Sequence, residues 1–140
     1  MQTDLPQPFQ AKWQAVPSSV AAARHAVRAY LSGADTSDPP LADVTLAVSE
    51  AVTNVVNHAY IDEAQGEVRV KVELSDHEIE VIVEDSGRGM QPRPDSPGLG
   101  MGLPLIANVA DRFDTRSVLG EGTRLCLWFR RHPGAATLPA

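Results

Sequence analysis

Cysteine is almost absent from this chain of 140 residues, where Cys126 stands alone. A disulfide within the chain and a cysteine zinc cluster are both excluded, and a reducing cytoplasm is the natural setting. Basic residues are also in short supply. Twelve Lys and Arg face 18 Asp and Glu, a net charge of −6 with His neutral. Generic binding to nucleic acid or to an anionic membrane draws its affinity from a basic surface, so neither is expected. No stretch approaches the roughly 20 apolar residues of a membrane span. The opening MQTDLPQPFQ has no basic segment followed by an apolar one, so it does not read as a secretion signal. Internal repeats and low-complexity tracts are missing too. What is present is 43% AVILMFWYC against 21% charged residues. That is enough to build a core, and it is not the composition of a disordered chain. The length suits one domain. The expectation is a small, soluble, cytoplasmic domain whose task must be read from its motifs.

Prolines punctuate the chain. Pro6 and Pro8 flank a candidate edge strand, Phe9 to Val16. Pro17-Ser18-Ser19 predicts a helix start with a Ser cap, and the Ala-rich run to Ser32, before Gly33, completes a first helix over 19–32. A second helix is expected from Pro39 to about Tyr60, with Asp38 as its cap. Its apolar residues Leu41, Val44, Val48, Val52, Val55 and Ala59 follow the three-and-four spacing of one face, which should pack on a sheet. Val68, Val70, Val72 and Leu74 then alternate with Arg69, Lys71 and Glu73. After Ser75-Asp76-His77, Ile79, Val81 and Val83 alternate with Glu78, Glu80 and Ile82. This is the pattern of a β-hairpin with one buried and one wetter face. A loop rich in Gly and Pro follows. A third helix begins near Pro104 and runs through LPLIANVADRF, and strands at about 113–119 and 123–130 flank a GEG turn. The order implies an α+β fold, a two-layer α/β sandwich with helices on one face of a mixed, mainly antiparallel sheet. The domain is expected over residues 1–130, with 131–140 a disordered tail.

Four motifs carry chemistry. On the second helix Glu50, Asn54 and His58 are spaced by four, so each lies one turn from the next on the same face, with Asn57 close by. That face is a solvated surface on most amphipathic helices. Here Glu50 is the sole ionised side chain between Asp43 and Asp62, which fits a helix whose polar side lines a pocket. The second motif is EDSGRGM. Asp85 follows an apolar strand directly, and Gly87 and Gly89 let the backbone approach a ligand. Such an aspartate can accept a hydrogen bond from an exocyclic amine such as that of adenine. Alone, the motif is also an ordinary Asp–Gly turn. The third is GLGMGLPLI, with Gly98, Gly100 and Gly102 alternating before a helix. Its alternatives are a flexible linker and a phosphate-binding helix start. The fourth is GEGTRL, a turn through Gly120 and Gly122 whose Thr123 hydroxyl can reach a base.

In this order the four motifs resemble those of the Bergerat-fold ATPases, the superfamily of DNA gyrase, MutL and the histidine-kinase catalytic domain. EAVTN is similar to its N box, DSGRG and GLGMGL to its two glycine boxes, and Gly122-Thr123 to its last element. The likeness runs from about Pro6 to Arg130. Within the superfamily, SEAVTNVVNHAY resembles the anti-sigma factor serine/threonine kinases of the RsbW and SpoIIAB type. That resemblance implies ATP and Mg²⁺ as cofactors. It implies Glu50 as general base, Asn54 as the Mg²⁺ ligand, and Asp85 as the carboxylate that reads adenine. Gly87 and Gly89 would shape the adenine pocket, Gly98, Gly100 and Gly102 would wrap the phosphates, and the Thr123 hydroxyl would assist at the base. One departure is the short lid from Gln91 to Pro97, which holds Pro92, Pro94 and Pro97. Arg88 and Arg93 are the cations available near it.

The function so implied is an anti-sigma factor that sequesters a sigma factor and phosphorylates a Ser or Thr of an anti-anti-sigma protein. One alternative is an ATP-dependent binding switch without turnover, which the short lid motivates. Another is a stand-alone histidine-kinase-like catalytic domain, although no helical dimerisation segment fits before Phe9. Motifs that use the length so completely leave little room for a substrate domain, so the partner is expected to be a separate protein. Arg24, His25 and Arg28 share one side of the first helix. They make either a solvated face or part of a surface for sigma or for a second protomer in a homodimer.

Overall fold

The computed structural model describes residues 6–34, 38–60, 66–87, 103–118 and 120–131. Strand β1 covers Phe9–Gln14 and helix α1 covers Ser18–Gly33; helix α2 covers Asp38–Asn54 and continues as a π-helical turn over Val55–Ala59. Strands β2 (Glu67–Leu74) and β3 (Glu78–Asp85) form the hairpin. Helix α3 (Leu103–Val109), β4 (Arg112–Val118) and β5 (Gly122–Arg130) complete the order. The described strands make one sheet in the order β1-β2-β3-β5-β4. Every pairing is antiparallel. The expected mainly antiparallel sheet is therefore found, with no parallel pair among the described residues.

Alternation along the strands sorts the two faces. Val68, Val70, Val72, Ile79, Val81 and Leu127 have no exposed surface, and Val83, Leu125 and Phe129 are nearly as buried. These side chains meet Ala23, Val27 and Leu31 of α1, Val44 to Val52 of α2 and Ile106 of α3 in one core. Helix α2 lies between α1 and α3 and packs on β3 and β5. Its buried positions Val44, Ala47, Val48, Ala51, Val52 and Val55 keep the helical three-and-four spacing. Burying each of these valines contributes roughly 1.5–3 kcal/mol. The other face of the sheet carries no described helix. It holds the ion pairs Lys12–Glu67, Lys71–Glu73, Arg112–Glu78, Arg116–Asp114 and Arg124–Glu84.

Several local expectations change. No side chain caps α1. Ser19 instead donates its hydroxyl to the carbonyl of Gln14, and the Ser19 and Val20 N–H groups bond to Val16 and Pro17. The third helix stops at Val109, whereas the sequence pattern extended it through Phe113. The reason is competition from β5: the Asp111 N–H bonds to the Trp128 carbonyl, and the Asp111 carboxylate accepts the Arg130 N–H. Arg112 and Phe113 are thereby drawn into β4. At the other end Arg131, expected in the tail, is held in place. Its N–H bonds to the His77 carbonyl, and its guanidinium reaches the carbonyls of Ser75 at 2.7 Å and Ala34 at 3.4 Å. Residues 132–140 lie outside the described residues. Among the described residues no helix is long and apolar enough to cross a membrane.

Candidate functional site

Residues 79, 81, 83 and 85 share the helix-covered face of β3, because side chains alternate along a strand. Three are Ile and Val. The fourth is Asp85, 7% exposed and the sole ionisable residue among the described buried ones. Its Oδ1 accepts the Gly87 N–H at 2.9 Å. Burial raises its pKa above the ordinary carboxylate range, against the opposing pull of backbone hydrogen bonds from Gly87 and Thr123 and of the Arg69 charge. A carboxylate held in this way keeps acceptor capacity for a further donor.

The chain around Asp85 is packed without room for side chains. A Cβ at Gly87 would lie 2.2 Å from the Ala59 carbonyl oxygen, at the end of the π-turn. Gly122 has φ +106°, and a Cβ there would lie 2.1 Å from the Asp85 carbonyl oxygen. Glycine alone suits that combination of left-handed backbone and close approach. Thr123 follows, opposite Asp85 in the β3–β5 register, and its Oγ1 is 3.1 Å from the Ser117 Oγ of β4. Thus the structure brings Asp85, Gly87, Gly122 and Thr123 of the motifs together and adds Ala59.

Glu50 and Asn54 lie on α2, both half-buried and one turn apart. Asn54 ends the regular helix, five residues before Ala59. A continuous α-helix through Tyr60 was expected, so the π-turn is a correction. The turn over Val55–Ala59 widens to the i→i+5 pattern. Sequence reasoning also missed Tyr60, Ser86 and Arg69. The Ser86 N–H bonds to the Tyr60 hydroxyl at 2.8 Å, and both terminal nitrogens of Arg69 are 3.4 Å from the Ser86 Oγ. No local pattern marks these contacts, since the partners are 26 and 17 residues apart. Gly89, Gly98, Gly100, Gly102, Arg88, Arg93 and the lid from Gln91 to Pro97 lie outside the described residues. A cavity of about 170 Å³ lined by Glu73, Leu74, Ser75, Glu78, Glu80 and Trp128 opens at the hairpin end of β3. It lies at the opposite end of that strand from Asp85.

A family model for the histidine kinase-like ATPase domain matches residues 13–130. The chain belongs to this family. The match spans every element from the end of β1 to the end of β5. The anti-sigma F factor of Clostridium novyi is 35% identical over 116 residues, covering 75% of this chain and 81% of that protein. The anti-sigma F factor of Pasteuria penetrans is 38% identical over 113 residues, covering 72% and 75%. A solved structure of the RsbU and RsbW domains of a Mycobacterium tuberculosis protein superimposes with a TM-score of 0.73 at 23% identity. It covers 90% of this chain, which in turn spans 32% of that one. At that identity the likeness is one of fold. The resemblance to anti-sigma factors is thus matched by the named relatives, and the fold by the solved structure.

Membership in an ATPase family implies ATP as the ligand. The donor and acceptor set fits it. Adenine offers an exocyclic amine, and Asp85 is a buried acceptor at a strand end whose backbone is close-packed through Gly87 and Gly122. Among the described residues no three His, Cys, Asp or Glu side chains converge as a metal site.

Proposed function

We propose that this protein is an anti-sigma factor with ATP-dependent serine/threonine kinase activity. It would hold a sigma factor and phosphorylate an anti-anti-sigma protein in the cytoplasm. The observation that carries the reading is Asp85, a carboxylate buried in an otherwise apolar row and braced by the end of the helix bearing Glu50 and Asn54. The relatives named as anti-sigma F factors support the choice of partners.

Each residue then has a physical task. Asp85 accepts the exocyclic N–H of adenine, a charge-assisted bond worth roughly 1.5–3 kcal/mol. Thr123 supports the base edge with a hydroxyl already oriented by Ser117. Gly87, packed against the Ala59 carbonyl, shapes the base pocket together with Gly89, and Gly98, Gly100 and Gly102 offer backbone N–H groups to phosphate. Asn54 would hold Mg²⁺ through its amide oxygen, phosphate oxygens and water completing the shell. The bound Mg²⁺–ATP supplies the γ-phosphoryl group and the neutralising charge. Glu50, one turn away, would take the proton from the Ser or Thr hydroxyl as that oxygen bonds to the γ-phosphorus and the bond from the γ-phosphorus to ADP breaks, ADP leaving. The exposed His25 and Arg28 of α1, with Arg24, offer charge to a protein partner or to a second protomer.

The test is transfer of labelled phosphate from Mg-ATP to a cognate anti-anti-sigma protein. Wild type should label it, and Glu50→Ala should slow the reaction by about 10²–10⁴-fold while still binding nucleotide. Full transfer by Glu50→Ala would remove the general base. Stoichiometric binding without transfer by wild type would favour a switch that uses ATP for grip alone.

A further inference from the structure

Tyr60 follows the π-turn directly, and its half-buried ring stands at a junction of three segments. Its hydroxyl donates to the carbonyl of Glu67, at the start of β2, at 2.6 Å. The same oxygen accepts the N–H of Ser86, the residue after Asp85, at 2.8 Å. Gly66 presses on the ring so closely that a Cβ there would lie 2.2 Å from its carbons. A phenol donates once and accepts, and here the main chain uses both functions. One residue earlier, the Ala59 carbonyl meets Gly87. The pair Ala59-Tyr60 therefore grips Ser86-Gly87, and Gly87 in turn donates to the Asp85 carboxylate.

We propose that Tyr60 is a positioning residue for the base-reading carboxylate. It fixes the backbone after Asp85 and ties it to the helix that carries Glu50 and Asn54. The proposal rests on the reading of Asp85 as the adenine acceptor. A carboxylate accepts from the exocyclic amine of adenine and repels the carbonyl oxygen that guanine places there. That discrimination holds only while the carboxylate stays aimed, because a misplaced polar group loses its advantage over the wrong ligand. Ser86 is exposed, so water can replace the phenol as partner of its N–H. Loss of the hydroxyl should therefore affect aim more than folding.

The experiment compares wild type with Tyr60→Phe in titrations with ATP and with GTP, alongside thermal melting and amide exchange without nucleotide. Wild type should prefer ATP. Tyr60→Phe should still melt cooperatively, bind ATP about tenfold more weakly and bind GTP unchanged, so that the preference narrows. A merely structural role would lower the melting temperature and leave the ratio of affinities intact. The Ser86 amide should exchange slowly in wild type despite the exposure of the residue, and faster in Tyr60→Phe. A rapidly exchanging Ser86 amide in wild type would overturn the proposal, and this arm decides the matter even if the variant does not fold. Undiminished discrimination by Tyr60→Phe would overturn it alone. A wild type that binds neither nucleotide, or does not distinguish them, would overturn the Asp85 reading and the proposal with it.

Discussion

On the helix-covered face of the sheet, β2 and β3 present Val68, Val70, Val72, Ile79, Val81, Val83 and then Asp85; on the open face they present Arg69, Lys71, Glu73, Glu78, Glu80 and Glu84, with Ile82 the apolar exception. Carboxylates of the open face are partly exposed, and several pair with neighbouring cations, as Glu84 does with Arg124 at 4.0 Å. Asp85 is buried, and burial opposes its ionisation. The same strand thus holds charges of two kinds. Those on the open face are cheap to keep and contribute little. The one on the covered face costs folding energy, and a residue kept at such a cost points to a ligand.

Substitutions can sharpen this contrast. The largest effect on stability is expected from Phe129→Ala on the covered face, about 3–5 kcal/mol by chemical denaturation, because the ring is 2% exposed and the core cannot refill its space. Next comes Gly122→Ala. The positive φ and the approach to the Asp85 carbonyl should cost roughly 1–3 kcal/mol. Asp85→Asn should behave in the opposite way. The raised native pKa means that the folded state binds the proton more tightly than the unfolded chain. Stability contributed by Asp85 is then greatest below the ordinary carboxylate pKa of about 3.9, falls as pH rises through the native value, and stays low above it. Asn keeps the oxygen that accepts from Gly87 and cannot ionise. Ligand-free Asp85→Asn should be at least as stable as wild type at neutral pH, with its advantage vanishing towards about pH 4 in thermal melts. A less stable Asp85→Asn at neutral pH would break the comparison. The smallest effect is expected from Lys71→Ala on the open face, within about 0.5 kcal/mol, because its pairing with Glu73 at 3.5 Å is solvent-screened.

Much of this arrangement is legible in local pattern. Alternation from Val68 to Val83 marks the hairpin and its two faces, and extending it by two residues places Asp85 on the covered side. The spacing of Val44, Val48, Val52 and Val55 marks the buried stripe of α2, and the four-residue step from Glu50 to Asn54 marks its polar side. What local pattern does not carry is contact between distant segments. The end of α3 depends on Asp111 meeting Trp128 and Arg130 of β5. The π-turn and the Tyr60 junction join residues up to 26 apart. Nothing in the run NHAY signals a wider helical turn, and nothing near Ser86 announces a phenol as its partner.

The central claim is that Asp85 is buried in order to hold a nucleotide, and a calorimetric titration of ATP into wild type and Asp85→Asn tests it most directly. Wild type should bind one ATP per chain, and Asp85→Asn should lose about 10–150-fold in affinity, the equivalent of one charge-assisted hydrogen bond. Equal affinity in the two proteins, or no binding by wild type, would contradict it.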